Sequence, residues 1–325
     1  MAEASTVSGP GNQPGNQPGN QAGNEGGNQA GNQAGNQAGN QAGDVNFPTT
    51  SANRYIYDYL NGLPDLTGKT VVDVPCGDGR ASHLLRQRGA TVLAFDLFPK
   101  FMKAPGITAR MADLRLPLPV ADGSADYVMC QEGIEHLPDQ LAVLSEFNRI
   151  LKPGGTLLVS SPSISHVRAR LANLLIENDS WRRMPPSLVD TVWVTDADVD
   201  RIYFGHLFLL SVQRLYTLLG ITGFRVVERV RTDVGTSSVV LGVLLYPLLA
   251  VASLLAYRTY ARKQRKSIPS EIGKPVWWEH LKLNLSPTTL FCKHIFWVAT
   301  KECSTAERRR QIRASRKDRY GAVAQ

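Results

Sequence analysis

Cysteine is scarce, with four residues in 325, and no two are spaced as CxxC. That excludes a zinc ribbon and argues against a disulfide scaffold. The first residues lack a basic segment followed by an apolar one, so no secretory signal is expected and the chain reads as cytoplasmic. Net positive charge is missing from most of the chain, although the whole carries +8. Arg258 to Lys266 holds five cations and no anion, and Lys301 to Gln325 holds eight cations against three anions. Those stretches together carry +10, which leaves −2 elsewhere and excludes the wholly basic surface of a histone-like nucleic-acid binder. Glycine is ordinary once 11 of its 28 residues, crowded between Gly9 and Gly43, are set aside. Formal charge is absent altogether from Val234 to Tyr257.

What is present falls into three regions. From Gly11 to Ala42 the chain runs through eight tetrapeptides of the GNQP, GNQA and GNEG type. Glycine maximises chain entropy and the amides stay hydrated, so residues 1–46 are expected to form a disordered tail. A folded domain is expected over residues 47–301 and a basic tail over 302–325. Within the domain, short β-branched runs alternate with helical patterns. Strands are expected at Thr70–Val74, Thr91–Phe95, Ile107–Met111, Asp126–Cys130, Thr156–Ser160, Phe224–Arg231 and Ile295–Thr300. Helices are expected at Arg54–Leu60, Arg80–Arg88, Asp139–Leu151, His166–Ile176 and Leu207–Leu219. Trp181 to Asp200 reads as a loop capping a site. Such alternation predicts an α/β fold with a mostly parallel sheet covered on both faces.

The most informative stretch is Val71-Val72-Asp73-Val74-Pro75-Cys76-Gly77-Asp78-Gly79-Arg80. Gly77 and Gly79 allow a tight turn and close approach to a ligand. In open α/β sheets such a loop lies at the carboxyl ends of the strands, where ligands bind. Ser82 could supply the third small residue of a dinucleotide fingerprint. However, Asp73 precedes the turn, where it would repel a pyrophosphate, and the loop has no phosphate-binding lysine, so a P-loop is excluded. A cationic, phosphate-free ligand fits better, and S-adenosylmethionine is one. Asp96, with Leu97 beside it, is placed to take the ribose hydroxyls. Asp113, with Leu114, can accept from the adenine amine. Gln131, at the end of the fourth strand, lies near the methionine moiety. Pro75 and Cys76 complete the loop around the cofactor.

These stretches resemble the class I S-adenosylmethionine-dependent methyltransferases, of the small-molecule branch called type 11. The residues that carry the resemblance are VVDVPCGDGR (71–80), FD (95–96), ADLRLPLP (112–119), GSADYVMCQEGIEHLPD (123–139) and LKPGGTLLVSSP (151–162). Pro75 stands where the family more often has glycine. The resemblance implies a seven-stranded Rossmann-like sheet of order 3-2-1-4-5-7-6, with a helical insertion between strands six and seven. It also implies methyl transfer from S-adenosylmethionine.

A hydroxyl acceptor would need a base to take its proton. The candidates are His206 first, then His136, with His166 and Glu132 behind them. His136 lies in an Glu-His-Leu-Pro segment that in this family usually starts a helix. Exocyclic amine chemistry is disfavoured, because MCQEG stands where the amine-methylating enzymes carry a Pro-Pro-aromatic motif, and cytosine C5 chemistry is disfavoured because Cys130 lacks a preceding proline and Cys76 lies in the cofactor loop. All four cysteines read as small buried hydrophobes. No metal and no nucleic-acid partner are expected, and nothing in the sequence sets an oligomeric state.

Residues 234–290 are an insertion where the family core needs only a short turn. Val239–Tyr257 is long and apolar enough to cross a bilayer. Yet strands six and seven must join one sheet, so a single crossing is excluded. The expectation is therefore a hairpin broken at Pro247, or a helix lying in the interface, with Arg258, Arg262, Lys263, Arg265 and Lys266 toward anionic headgroups. Trp277 and Trp278 would be interfacial anchors. The expected acceptor is a hydroxyl on a lipid-linked sugar or other amphiphile at the inner membrane face. A quinone-type O- or C-methyltransferase is the alternative, and a non-catalytic cofactor-binding membrane protein is another.

Overall fold

The computed structural model describes residues 53–182, 185–194, 202–264 and 270–320. The chain divides into two units, Met1–Asp44 and Val45–Gln325. The first, with the GNQ repeats and the tail expected there, lies outside the described residues. The second opens with α1 (Arg54–Asn61) and continues through β1 (Thr70–Asp73), α2 (Arg80–Gln87), β2 (Thr91–Asp96), β3 (Arg110–Met111), β4 (Ala125–Cys130), α3 (Gln140–Ile150) and β5 (Leu151–Pro162). Then come α4 (Val167–Ile176), α5 (Leu188–Thr191), β6 (Val192–Val194), β7 (Ile202–Phe204), α6 (Val212–Ile221) and β8 (Phe224–Arg229). The chain closes with α7 (Thr236–Gln264), α8 (Ser270–Leu285), α9 (Pro287–Phe291), β9 (His294–Lys301) and α10 (Thr305–Tyr320).

Seven strands form one sheet in the order β3-β2-β1-β4-β5-β9-β8. The first five are parallel, and β9 runs antiparallel to both its neighbours. With the separate β6–β7 pair left out, β8 and β9 are the sixth and seventh strands, and the order is the one the resemblance implied. Successive strand residues face opposite ways, as the pleat requires. Val71, Met129, Leu158 and Phe296 pack with Ile56, Leu60 and Leu85 on one face. Val72, Val128, Leu157 and Trp297 pack with Leu144, Phe147 and Leu215 on the other. Both layers are buried, and this is why the strands read as short continuous apolar runs.

Several boundaries differ from those expected. The third strand is only Arg110–Met111, because Gly106 turns at φ +65° and Ile107 N–H donates to Ala104 O, which holds the preceding residues in a turn. The fifth begins at Leu151, with Gly154 at φ +75° inside it and an irregular register against Ala125 and Tyr127. The helix expected from Leu207 starts instead at Val212, where Ser211 Oγ accepts from Arg214 N–H at 3.2 Å. Residues 205–211 are irregular, with a tight turn at His206 and Leu207 in which Leu207 N–H donates to Gly205 O, while Phe208 N–H donates to Glu135 O and Leu210 bridges Ser163. This correction matters for function, because it carries His206 to the end of β4.

The hairpin expected at Pro247 is absent. α7 runs unbroken through Pro247 for 29 residues, about 44 Å at 1.5 Å per residue. α8 runs back along α7. Asn284 Nδ2 donates to Ser253 Oγ at 2.8 Å, Tyr257 meets Trp278, and Tyr260 meets Trp277. Gly242 allows α9 to approach, since a Cβ there would overlap the Phe291 ring. The basic C-terminal stretch starts as α10, tied to α3 by Asn148, which donates to Cys303 O and accepts from Thr305 N–H.

Candidate active site

The glycine loop joins β1 to α2. Gly79 N–H donates to Cys76 O, and Cys76 N–H donates to Phe95 O, so the turn is pinned to β2. Gly77 and Gly79 sit at φ +52° and +83°, where a side chain is strained. A Cβ on Gly79 would overlap Met102 Sδ, whereas the same atom on Gly77 would face open space. Gly77 N–H donates to Asp96 Oδ2 and Phe98 N–H to Asp96 Oδ1, both at 2.8 Å. Each Asp96 oxygen keeps a further lone pair, which suits a pair of hydroxyls. Leu97 beside it is half-buried.

Asp73 is fully buried. Its Oδ2 accepts from Ser82 Oγ at 2.5 Å, while Oδ1 has no hydrogen-bond partner. Burial pushes its carboxyl up to about 7, against the pull of the Ser82 hydroxyl. Cys76 and Cys130 are buried thiols held well above their ordinary values by desolvation, which removes them as nucleophiles. Pro75 packs so closely on Gly133 that a Cβ at 133 would overlap its ring. Gln131 Nε2 donates to Tyr57 Oη at 3.3 Å, and the Arg80 guanidinium stacks 4.0 Å above Tyr57. Asp113 already has a partner in this structure. Arg115 binds it through Nε and Nη2, at 2.8–3.1 Å, and through its backbone N–H. An adenine amine there would share the carboxylate with a guanidinium. Leu114 is half-buried against the main core.

The second half of the site lies beyond β4. Glu132 has φ +47°, unusual for a residue with a side chain. Its Oε1 accepts from Ser160 Oγ at 2.8 Å, and its Oε2 is 3.8 Å from His294 Nε2. Burial raises its carboxyl to about 7. Glu135 is completely buried and neither carboxylate oxygen has a hydrogen-bond partner. Burial, then the neighbouring Glu132 charge, holds its carboxyl well above the usual range. His136 Nδ1 lies 2.8 Å from Phe204 O. A carbonyl only accepts, so Nδ1 carries the hydrogen and Nε2 is left facing Glu135 Oε1 at 3.9 Å. Burial lowers the His136 pKa. The His206 ring lies 5.2 Å from that of His136.

The structure thus brings the two favoured histidines together and adds Glu135, which the sequence reading had left inside a helix-start segment. It removes His166, whose Nδ1 accepts from Ala169 N–H as the cap of α4. Sequence reasoning also missed Tyr203 and Phe98. Tyr203 stacks on His136 at 5.1 Å and meets Phe98 edge-on at 5.8 Å, joining the β6–β7 pair to the end of β2. An aromatic residue beside a segment read as a site cap was the available signal.

The glycine cradle, the two acidic residues at the ends of β1 and β2, and the unpartnered Asp73 oxygen fit a cationic ligand without phosphates. A family model described as a methyltransferase domain matches residues 51–229, more than half of the chain. The chain belongs to the class I S-adenosylmethionine-dependent methyltransferases. S-adenosylmethionine is the cofactor of that family. Among curated relatives, ubiquinone biosynthesis O-methyltransferases of Xanthomonas oryzae pv. oryzae are 34% identical over 123 residues, 35% of this chain and 52% of theirs. One from Xylella fastidiosa is 33% identical over 123 residues, 35% of this chain and 50% of its own. The chain therefore spans about half the length of the curated relatives it matches. Solved structures of similar trace include an S-adenosylmethionine-dependent methyltransferase of Mesorhizobium loti, 17% identical, TM-score 0.42, covering 76% of this chain and 97% of its own. Another, from Archaeoglobus fulgidus, is 15% identical, TM-score 0.40, covering 77% and 92%. The family assignment rests on the domain match.

Proposed function

We propose that the chain methylates a hydroxyl oxygen of an amphiphilic, quinone-type small molecule at a membrane surface. The observation that carries this reading is the gathering of Glu135, His136 and His206 beside β4 in a chain of this family. When bound, S-adenosylmethionine supplies a methyl group already activated by its sulfonium. The chain's own residues then have to orient the acceptor, exclude water and manage a proton. Asp96 and Gly77 would hold the ribose, Asp73 and Gln131 the methionine end, and Asp113 with Leu114 the adenine. Pro75, Cys76 and Gly79 shape the loop. The hydroxyl proton would be lost at the Glu135–His136–His206 cluster, with His206 the favoured residue and His136 second. Tyr203 and Phe98 offer aromatic faces suited to a planar acceptor.

The names of the relatives favour a quinone-type acceptor over the lipid-linked sugar, which no observation supports. The membrane reading rests on α7. Val240, Leu244, Leu248, Val251 and Leu255 form an exposed stripe along one side of it, with Leu244 71% exposed. Almost none of its apolar length is buried, and it is the one helix among the described residues that is long and apolar enough to span a bilayer. Arg258, Arg262 and Lys263 end the same helix. Since β8 and β9 share one sheet and the charged α8 packs back on α7, the helix would lie along the membrane and not cross it.

The test is a product search. Purified protein is given methyl-labelled cofactor and a membrane lipid extract, and products are identified by mass spectrometry. Label on a phenolic oxygen of an apolar lipid is expected. Label confined to sugar-bearing lipids would restore the lipid-linked sugar. Tight cofactor binding with no product from any fraction would favour the non-catalytic alternative.

A further inference from the structure

We propose that Arg168, Lys293 and the first turn of α7, with the Ser238 hydroxyl, bind an oxyanion, a carboxylate or a phosphate, carried by the acceptor. Such a site rests on the amphiphilic-acceptor reading above and would select among those acceptors by charge. Its groups meet where the N-termini of α4 and α7 face each other, and Arg168 Nη1 donates to Ser237 Oγ at 3.4 Å. A Cβ on Gly235 would lie 3.2 Å from Lys293 Cε and 3.3 Å from Ser238 Oγ, so a cation and a hydroxyl converge on the open side of that glycine. The place adjoins the reacting end of the cleft. Lys293 is followed by His294, whose Nε2 is 3.8 Å from Glu132 Oε2 just past β4. Ser163 N–H, just past β5, donates to Lys293 O.

Three observations call for an anion here. The first is a set of cations without counter-charges. Arg115, Arg149, Lys152 and Arg225 each pair with a carboxylate. Among the described residues, Arg168, Arg170 and Lys293 pair with none. The exposed Asp233 accepts from Lys293 N–H through its backbone carbonyl, not its carboxylate. Arg170 is half-buried and its bonds go to Ser165 O and Asn284 Oδ1, both neutral, and burial lowers its pKa. Desolvating a charge that has no partner is expensive. The pKa of nearby His166 is lowered to about 4, by burial first and then by the charges of Lys293, Arg168, His294 and Arg170. The second observation is the helix ends. Both α4 and α7 present the positive end of their dipoles, and neither has an acid in its first turn. α4 instead opens with Arg168 and Arg170. Cations at a helix N-terminus are unfavourable alone, whereas N–H groups joined by a guanidinium and an ammonium suit an oxyanion. The third is Ser238, which is 1% exposed and whose hydroxyl has no hydrogen-bond partner. A buried hydroxyl left unpaired costs free energy, and an oxyanion beside Lys293 would accept its hydrogen.

The test uses the full-length protein with S-adenosylhomocysteine and two probes, para-hydroxyphenylpropionate and its uncharged amide. Both offer a ring suited to the faces of Tyr203 and Phe98, and they differ in charge. In calorimetry at low salt the acid is expected to bind about tenfold or more tightly than the amide. Arg168→Gln and Lys293→Gln should each weaken binding of the acid roughly three- to tenfold and leave the amide unchanged, with S-adenosylhomocysteine affinity retained as the check on folding. Ser238→Ala should weaken binding of the acid by about threefold without lowering the melting temperature, because the hydroxyl it removes has no partner in the free protein. Inorganic phosphate should compete with the acid and not with the amide. Equal affinity for acid and amide, or an acid affinity indifferent to all three substitutions, overturns the proposal. If both compounds are then methylated nonetheless, the hydroxyl reading survives without the oxyanion site. If neither aromatic compound binds but phosphate does, in a manner that needs Arg168 and Lys293, the oxyanion site stands and the planar-acceptor reading falls. If the substitutions spare the acid and instead weaken binding to phosphatidylglycerol vesicles, the cations serve bilayer headgroups and the acceptor role is overturned.

Discussion

The two halves of the cleft differ in how their carboxylates are satisfied. At the glycine loop, Asp96 accepts two backbone hydrogens and Asp113 is gripped by a guanidinium, so both are fixed before any ligand arrives. Beyond β4, Glu135 is buried without a partner, beside two imidazoles. The first half is built by contacts between neighbouring strand ends and suits a constant ligand. The second is assembled from β4 and from a segment some seventy residues later, and it holds its polar groups in reserve for whatever completes it. Preorganisation is cheap where the chain is local. Where it is not, the unsatisfied groups mark the chemistry.

This contrast can be broken experimentally, and the largest effect is expected at the reserved end. His206→Ala should lower turnover by about two to four powers of ten while leaving cofactor affinity unchanged. Steady-state kinetics with calorimetry would show the split. Near-normal turnover would return His206 to a structural role. At the satisfied end, Asp96→Ala should weaken S-adenosylmethionine binding by roughly 2 kcal/mol, about thirtyfold, because charge-assisted hydrogen bonds are the strong ones. It also releases Gly77 and Phe98 N–H, so the loss should come with faster hydrogen exchange at both amides.

A smaller effect concerns Asp73, which sharpens the comparison because it is the one loop carboxylate with an unpartnered oxygen. Its folded carboxyl is raised to about 7 from an unfolded value near 3.8. The native state therefore keeps a proton that the unfolded chain has lost. The stabilising contribution is full below pH about 4 and disappears as pH rises toward 7. Asp73→Asn should flatten this part of the pH profile and gain on the order of 1 kcal/mol or more relative to wild type at pH 8. Urea unfolding across that range measures it, and an unchanged slope would show that Asp73 is ionised throughout. The smallest effect is expected outside the cleft. Replacing Arg262 and Lys263 with Gln should weaken binding to anionic liposomes roughly three- to tenfold at physiological salt, and less at high salt. Binding that ignores both lipid charge and salt would leave only the apolar stripe of α7 as an anchor.

How much was legible follows the same division. Strand–loop–helix units are local, so their apolar runs and glycine turns announced the seven-stranded sheet and the cofactor loop. Even there, Arg115 was not anticipated as the partner of Asp113, because a neighbouring cation reads equally well as a solvated one. The length of α7 was also misjudged. Proline removes one helical hydrogen bond, yet Pro247 interrupts nothing here, because packing of α7 on α8 and α9 holds the helix on both sides of it.

The amino-acid order by itself determined the strand order's parallel core, the position of the glycine turn, and the acidic residues that end β1 and β2. Each of these depends on periodicity or on turn chemistry within a few residues. Only the tertiary structure decided that His206 meets His136 and Glu135. No spacing rule joins residues so far apart. Their meeting depends on residues 205–211 forming a non-helical turn bonded to Glu135, where a helix was the stronger local preference. Long-range hydrogen bonds to a buried backbone overrode that preference, because leaving those groups unpaired costs more than the helix would gain.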